Sequence, residues 1–351
     1  MERTEDHVLG LIERVKSKPL RFRDEQITMA HGAGGKATLT LIEGLLAPAF
    51  GIDELADAAA VGELAVTTDS FVVRPIRFPG GSIGELAVNG TVNDLAVSGA
   101  RPLALTLSLV LEEGLSADEL RAEVEAIARA AEAAGVRIVA GDTKVVERGR
   151  CDSMYVTTTG IGRLDPRAQL SPSSLRPGDR ILVSGPVGEH GTAIMLARGE
   201  FELDAAIESD TKPLWPAVDA LLDAAGDSLR CVRDATRGGV ASVLNELARA
   251  SGVAIVVREA QVPVHPAVAG ACEILGIDPM YVANEGTLVA FAAPEAADDA
   301  LAALRSVAGC EAAAEIGEVK TEPPGMVLVE TGFGGRRVMD MLVGDPLPRI
   351  C

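Results

Sequence analysis

The sequence predicts an α/β (α+β) protein of two domains, each a sheet covered by helices, ending in a flexible C-terminal tail. Three observations predict this. The chain has 351 residues, more than one ordinary domain of about 100 to 200 residues holds. Val- and Thr-rich runs alternate with apolar residues at helical spacing on both sides of a Ser/Pro-rich stretch, SPSSLRPGDR (171–180). Apolar residues make up 48% of the chain, so each half can bury a core without disulfides.

In chain order, a leader with a Gly-rich loop occupies 1–45, a first domain 46–170, a second domain 171–335 and a mobile tail 336–351. In the first domain, 63–73 reads as a strand. From Ser82, a plausible N-cap, apolar residues recur at helical spacing through Leu95. A strand over 103–111 follows, then a long amphipathic helix over 116–134 that opens on the capping pattern S-A-D-E. Strands over 136–146 and 154–164 complete that half. After the ILVSG strand, the second half alternates helices at 192–196, 212–225, 238–250 and 295–307 with strands at 254–257, 287–291, 316–319 and 326–329. Its sheet is expected to carry helices on one face.

Thirty-two Lys and Arg stand against 51 Asp and Glu, a formal net charge of -19, which repels a phosphate backbone and argues against nucleic acid as a partner. A nucleotide is still allowed, because carboxylates can recruit Mg2+ and let the metal invert the local field. The opening MERTEDHVLG has no basic end or apolar run, and no apolar stretch reaches membrane-spanning length, so a cytoplasmic protein without a membrane partner is expected. Five cysteines form no CxxC pair, which signals neither a zinc site nor a redox pair.

Acidic residues recur where strands or loops meet helices: Asp57, Asp69, Asp94, Asp142 and Asp234. Each is flanked by small residues that leave room for a ligand, and hard oxygen ligands from separate segments are what Mg2+ on a polyphosphate requires. One Asp before a helix is commonly an N-cap; five in this setting favour a metal and phosphate site. After Asp234, Thr236-Arg237-Gly238-Gly239 opens a helix whose NH groups can hold an anion. Near the start, His31-Gly32-Ala33-Gly34-Gly35-Lys36 is a second Gly-rich loop without Walker spacing, able either to act as a hinge or to fold over phosphates with Lys36 as an added cation. Lys144 and Glu285 sit in polar motifs within apolar strands and are candidate proton handlers. His31, His190 and His265 read as structural or phosphate-adjacent.

The ending RRVMDMLVGDPLPRIC carries two prolines and a glycine in its last eight residues, which prevent a regular helix and predict an extended, mobile arm. From Val338 it can reach roughly 45 Å, enough to carry Cys351 between an internal site and a partner.

The motifs HGAGGK, TTDSFV, NDLAVSGARP, AGDTKVVERG, RDATRGGV, NEGTLV and the PLPRIC ending make the chain resemble the hydrogenase maturation carbamoyl dehydratases (HypE), from about Ile27 to Cys351. The nucleotide motifs are shared with aminoimidazole ribonucleotide synthetase and its relatives; the Pro-Arg-Ile-Cys ending belongs to this family. The resemblance implies the two-domain aminoimidazole ribonucleotide synthetase-like fold, a homodimer through the first-domain sheets, and ATP with Mg2+ between domains. It implies a carbamoyltransferase (HypF) that loads a carbamoyl group on Cys351, ATP-driven dehydration to a thiocyanate, and transfer of cyanide to iron on a HypC-HypD complex for nickel-iron hydrogenase.

Carried onto this chain, the resemblance puts metal and phosphate roles on Asp57, Asp69, Asp94 and Asp234, and a further nucleotide-side role on Asp142. Nucleotide contacts fall on the two glycine loops and Asn93, and positions near the reacting group on Lys144 and Glu285. Ala56 departs from the glycine that commonly precedes the first acid. Either Glu285 or Lys144 would remove nitrogen protons. Two rivals stay open: a related ATP-dependent synthetase acting on a diffusible substrate, and a non-enzymatic module that presents a cysteine to an assembly partner.

Overall fold

The computed structural model describes residues 20–52, 55–199, 206–344, 347 and 349–351. The segment MERTEDHVLG and the prolines of the PLPRIC ending lie outside the described residues.

The first half supplies β1 (Ala59–Val61), β2 (Leu64–Phe71), β3 (Arg77–Phe78), β4 (Gly81–Ser82), β5 (Ala100–Glu112), β6 (Arg137–Val146) and β7 (Met154–Leu164). β3 and β4 form a small hairpin, and the other five form a sheet in the order β1-β2-β7-β5-β6. The β5-β6 pair is parallel and the rest are antiparallel. Side chains alternate across the pleat: Met154, Val156 and Thr158 are buried, whereas Tyr155, Thr157 and Thr159 lie on an open face and are only half-buried. On that face, hydroxyl pairs join Thr68 to Thr159 and Ser70 to Thr157 across β2 and β7, at 3.0 and 2.9 Å. β6 is exposed along nearly its whole length.

Helices Ile83–Val97 and Ala117–Ala133 cover the other face. The second starts as its capping sequence predicts, with the Ser116 side chain accepting from the Asp118 amide at 3.2 Å. Ser82 also stands at an N-cap position in extended backbone, but its hydroxyl makes no capping bond. Helix Ile83–Val97 is buried nearly all round because it is sandwiched. Leu86 and Ala87 join the core around Phe71 and Val156, and Val88 and Val92 meet Ile127 of the neighbouring helix. Ala96 and Val97 pack against Leu214 and Val218 of the second domain. A helix without a wet face must satisfy its polar residues internally, which gives Asn89, Thr91, Asn93 and Asp94 their significance.

The second domain contains β8 (Arg180–Val183), β9 (Leu229–Asp234), β10 (Ala254–Arg258), β11 (Leu288–Ala292), β12 (Ala314–Lys320), β13 (Met326–Glu330) and β14 (Arg336–Met339). They form one sheet in the order β14-β13-β10-β12-β8-β11-β9. Helices lie on both faces, which corrects the expectation of one. Ile181, Val183, Val289 and Phe291 pack with helix Gly239–Ser251. Leu182, Leu288 and Ala290 pack with helices Trp215–Ala225 and Ala297–Ser306. Unbroken apolar runs such as LVAFA are the mark of strands buried on both sides, and β11 is buried throughout. The periodicity of the sequence does not announce β1, the β3-β4 hairpin, β9, β14 or helix Pro266–Leu275.

The strands on either side of the expected boundary at 170/171 are β7, ending at Leu164, and β8, starting at Arg180. At the front, helix Lys36–Leu41 runs through a π-helical turn, Ile42–Leu46, into Ala47–Phe50, so it crosses the expected end of the leader. Glu43 ties it to Arg249 of the second domain at 2.5 Å. At the back, residues 336–339, expected to open the mobile tail, are instead β14, paired with β13. Among the described residues no helix is long and apolar enough to cross a membrane.

Candidate active site

Residues of both domains line one cleft of about 1160 Å³. Asp57 approaches it just before β1, Asp94 from the last turn of helix Ile83–Val97, and Asp234 from the end of β9. Carboxylate oxygens of these three lie within 4.8 Å of one another. Thr67 braces them, donating to Asp94 Oδ2 and to the Asp57 carbonyl, both at 2.8 Å.

Burial pushes all three carboxyls up. Asp94 rises well above the ordinary carboxylate range, with Asp234, Asp57 and Asp69 adding repulsion. Asp234 is pushed up to about 7, by burial first and then by Asp57. Asp57 is raised by burial, and the Arg233 guanidinium, 2.7 Å away, pulls it part of the way back. Three crowded carboxyls, one buried and two half-buried, that resist ionising together are what a divalent cation relieves, and hard oxygens from three segments suit Mg2+. The donor set therefore fits that ion. Asp69, expected as a fourth ligand, lines the cleft beside the cluster but is not one of the three mutually close acids, and its Oδ1 accepts from the Ser70 amide at 2.8 Å.

The two glycine loops pack on each other. Gly34 (φ 73°) and Gly238 (φ 76°) both need left-handed backbone. A Cβ on Gly34 would lie 2.5 Å from the Arg237 carbonyl oxygen, and one on Gly238 would lie 2.8 Å from the Gly34 carbonyl oxygen. Ser242 and Arg237 lock the junction by donating to the Gly34 and Gly32 carbonyls at 2.9 and 3.0 Å. Gly34, Gly35, Thr236 and Arg237 line the cleft. Gly32, Gly238 and Gly239 are not among its lining residues. Lys36, expected over phosphates, makes an ion pair with Asp340 at 2.7 Å instead.

Asn93, expected at the nucleotide, is buried and committed to protein. It donates to the Lys212 and Glu285 carbonyls at 3.0 and 3.2 Å and accepts from the Leu214 amide at 2.7 Å. It thereby pins the NEGT loop of one domain to the central helix of the other. Glu285 lines the cleft, is 3% exposed, and its Oε1 has no hydrogen-bond partner among the described residues. Burial, then Asp234 and Asp210, hold its carboxyl well above the usual range.

Asp142 and Lys144 are not brought to this cleft within one chain. They lie on exposed β6, paired to each other at 2.5 Å, and Lys144 is largely exposed. The hydrogen bond from Lys144 holds the Asp142 carboxyl below its usual range.

Cys351 lines the cleft. The charge at Cys351 is the first influence raising the pKa of Arg237, ahead of Asp69 and Glu285. The terminus that the sequence casts as a swinging arm is docked here.

Sequence reasoning missed Asp210, Thr67 and Arg233. Asp210 accepts from the Glu285 and Gly286 amides at 2.9 and 3.0 Å and from Thr287 Oγ1 at 3.0 Å, fixing the NEGT turn. Gly286 is required there, since a Cβ would fall on the Asp210 carbonyl oxygen. No local pattern marks Asp210, but Thr67 and Arg233 are the first residues of the TTDS and RDATRGG motifs.

Two family models match the chain: AIR synthase related protein, N-terminal domain, over 55–164, and its C-terminal domain over 176–329. The chain is 48% identical over 341 residues to the carbamoyl dehydratase HypE of Rhodobacter capsulatus, covering 95% of this chain and all of that one. The chain belongs to the HypE family. A crystal structure of a HypE-HypF complex superposes with TM-score 0.83 at 44% identity, over 86% of this chain and 99% of that one. One of HypE in complex with ATP gives 0.80 at 43% identity, over 93% and 100%. HypE proteins are carbamoyl dehydratases, lyases that serve hydrogenase maturation, and this chain is an enzyme of that kind. Both domains are sheets with helices, as the sequence predicts.

Proposed function

We propose that the chain uses ATP to dehydrate an S-carbamoyl group on its own Cys351, giving a thiocyanate that supplies cyanide for hydrogenase iron assembly. The observation that carries this is that the last residue lines the same cleft as Asp57, Asp94, Asp234 and Glu285. A diffusible-substrate enzyme has no need of its own terminal thiol in that place.

An amide oxygen is a poor leaving group at neutral pH, and transfer of a phosphoryl group to it makes phosphate the group that departs. The S–C(=O)NH2 unit becomes S–C≡N, its oxygen leaves in phosphate, and both N–H protons are lost. Asp57, Asp94 and Asp234 would hold Mg2+, with Asp69 beside them. Bound there, the ion would neutralise the triphosphate and the charge on the transferring group.

Arg237, Gly34, Gly35 and Thr236 line the space for phosphate oxygens, where the Arg237 guanidinium supplies positive charge. Glu285 Oε1, buried and without a partner, is the group suited to take an N–H proton: a carboxylate in this dry, acidic setting is a stronger base than one in water. This favours Glu285 over the exposed Lys144 within a single chain.

Association as a homodimer is supported by the open hydroxyl-rich face of the first sheet and by exposed Leu103, Val139 and Val145 on its parallel edge. A second copy there would cover Asp142 and Lys144. HypF as donor of the carbamoyl group and a HypC-HypD complex as acceptor of cyanide complete the proposal, in the cytoplasm. The five cysteines form no disulfide, which agrees with a reducing compartment.

Mass spectrometry of the carbamoylated protein tests the chemistry. ATP should remove one water from the C-terminal peptide. Retention of the full carbamoyl mass, or undiminished product formation by a chain lacking Cys351, would overturn it.

A further inference from the structure

We infer that Asp152, the backbone of residues 72–74, helix Glu189–Ala197 and Arg198 form a recognition groove for the terminal Arg349-Ile350-Cys351 tripeptide, in which His190 is a positioning residue that sets where the Cys351 sulfur lies. This deepens the proposed dehydration and takes its purpose from that reading.

Every carbonyl of the tripeptide is bonded. The Arg349 oxygen accepts from the Arg74 amide at 3.3 Å and from Arg198 Nη2 at 2.7 Å. The Ile350 oxygen lies 2.6 Å from His190 Nε2, and the Cys351 oxygen accepts from the Val72 amide at 3.1 Å. In return, Arg349 Nε and Nη2 donate to the Val72 carbonyl at 3.3 and 3.2 Å, and its guanidinium pairs with Asp152. Arg198 Nε also donates to the Arg74 carbonyl at 2.9 Å, so one guanidinium clamps both segments. The terminus thus lies along 72–74 much as an added strand would.

Arg349 adopts φ 57°, a left-handed conformation that a non-glycine residue keeps only where its surroundings impose it. Ile350 supplies an apolar anchor, buried in the cluster of Phe71, Val73, Phe78 and Val268. Cys351 packs against the edge of the same cluster and lines the cleft, so anchoring Ile350 holds the sulfur at the boundary between the two.

His190 is fully buried. A carbonyl only accepts, so Nε2 must carry the proton, which leaves Nδ1 to accept from Ser209 Oγ at 2.8 Å. One neutral tautomer satisfies both neighbours, and burial pushes the imidazole pKa down, favouring that form.

The test is the rate at which iodoacetamide alkylates Cys351 in the full-length protein without nucleotide, read from the mass of the C-terminal peptide. Losing one such bond should shift the docked population about fivefold. His190→Ala, Asp152→Asn and Arg198→Gln should therefore each speed alkylation about fivefold or more. His190→Asn, whose amide still donates, should stay within about twofold of the parent.

Cys231, Cys272 and Cys310 should remain unmodified, which reports an intact fold. If His190→Ala exposes them, Asp152→Asn and Arg198→Gln decide between groove and no groove. Unchanged alkylation in those two variants would overturn the groove. The readout needs neither ATP nor a carbamoyl group, so accelerated alkylation beside a parent that fails to dehydrate would sink the chemistry and leave the groove standing.

Discussion

Removing one acid from the cluster should make the cation-free protein more stable while abolishing the proposed Mg2+-dependent turnover. Asp234→Asn keeps the shape of the side chain and deletes one of three carboxyls whose oxygens crowd within 4.8 Å. In the folded protein the Asp234 carboxyl is pushed from 3.8 up to about 7. The folded state therefore binds this proton more tightly than the unfolded chain. The associated stability is fully present below pH 3.8, falls as pH rises, and is gone above about 7.

Asp234 then costs the fold about 4 kcal/mol at pH 8, where it stays ionised, against about 2 kcal/mol at pH 5.5, where it takes up a proton on folding. The substitution removes that penalty, so its stability relative to the parent should improve by about 2 kcal/mol between those pH values. At about 2.1 cal/mol/K per residue, the difference in Tm for 351 residues should move by about 3 °C in favour of the variant. Calorimetry in EDTA at both pH values measures it. Adding Mg2+ should raise the Tm of the parent more at pH 8 than at pH 5.5 and leave the variant nearly unmoved. A variant less stable than the parent at pH 8, or one that still gains Tm with Mg2+, would refute the clustered-carboxylate account.

Glu285→Gln should leave ATP affinity within about threefold while lowering dehydration by about 100-fold or more, because it removes a proton acceptor without changing volume; equal loss of both, measured by calorimetric titration and single-turnover assay, would make Glu285 structural. Asn93→Ala strands the buried Leu214 amide and the Lys212 and Glu285 carbonyls, so denaturation should show a loss of about 2 to 4 kcal/mol. A loss below about 0.5 kcal/mol would contradict the interdomain pin.

Residues whose chemistry is stated locally were legible before the fold was known. Asp57, Asp94 and Asp234 each sit among small neighbours at an element end, and they do converge. The two glycine-rich stretches were legible as loops, and the structure adds that Gly34 and Gly238 adopt left-handed backbone in them. The apolar runs of β8, β10, β11 and β13 carried the information that both faces are covered, but the one-face expectation overlooked it. Asn93 looked like a ligand because sequence shows polarity and not partners: on a helix sandwiched between domains, its polar atoms are claimed by backbone from residues more than a hundred positions away.

By itself the sequence determined the family, the two-domain α/β plan and a set of five acids that contains the three that cluster, because capping, periodicity and motif chemistry are written within a few residues. Only tertiary structure decided that Lys36 pairs with Asp340, that Lys144 lies on an open edge, that Asp210 braces the Glu285 turn and that the terminus docks against His190. Those outcomes depend on which distant groups burial brings together, and on the cost of leaving a desolvated polar atom without a partner.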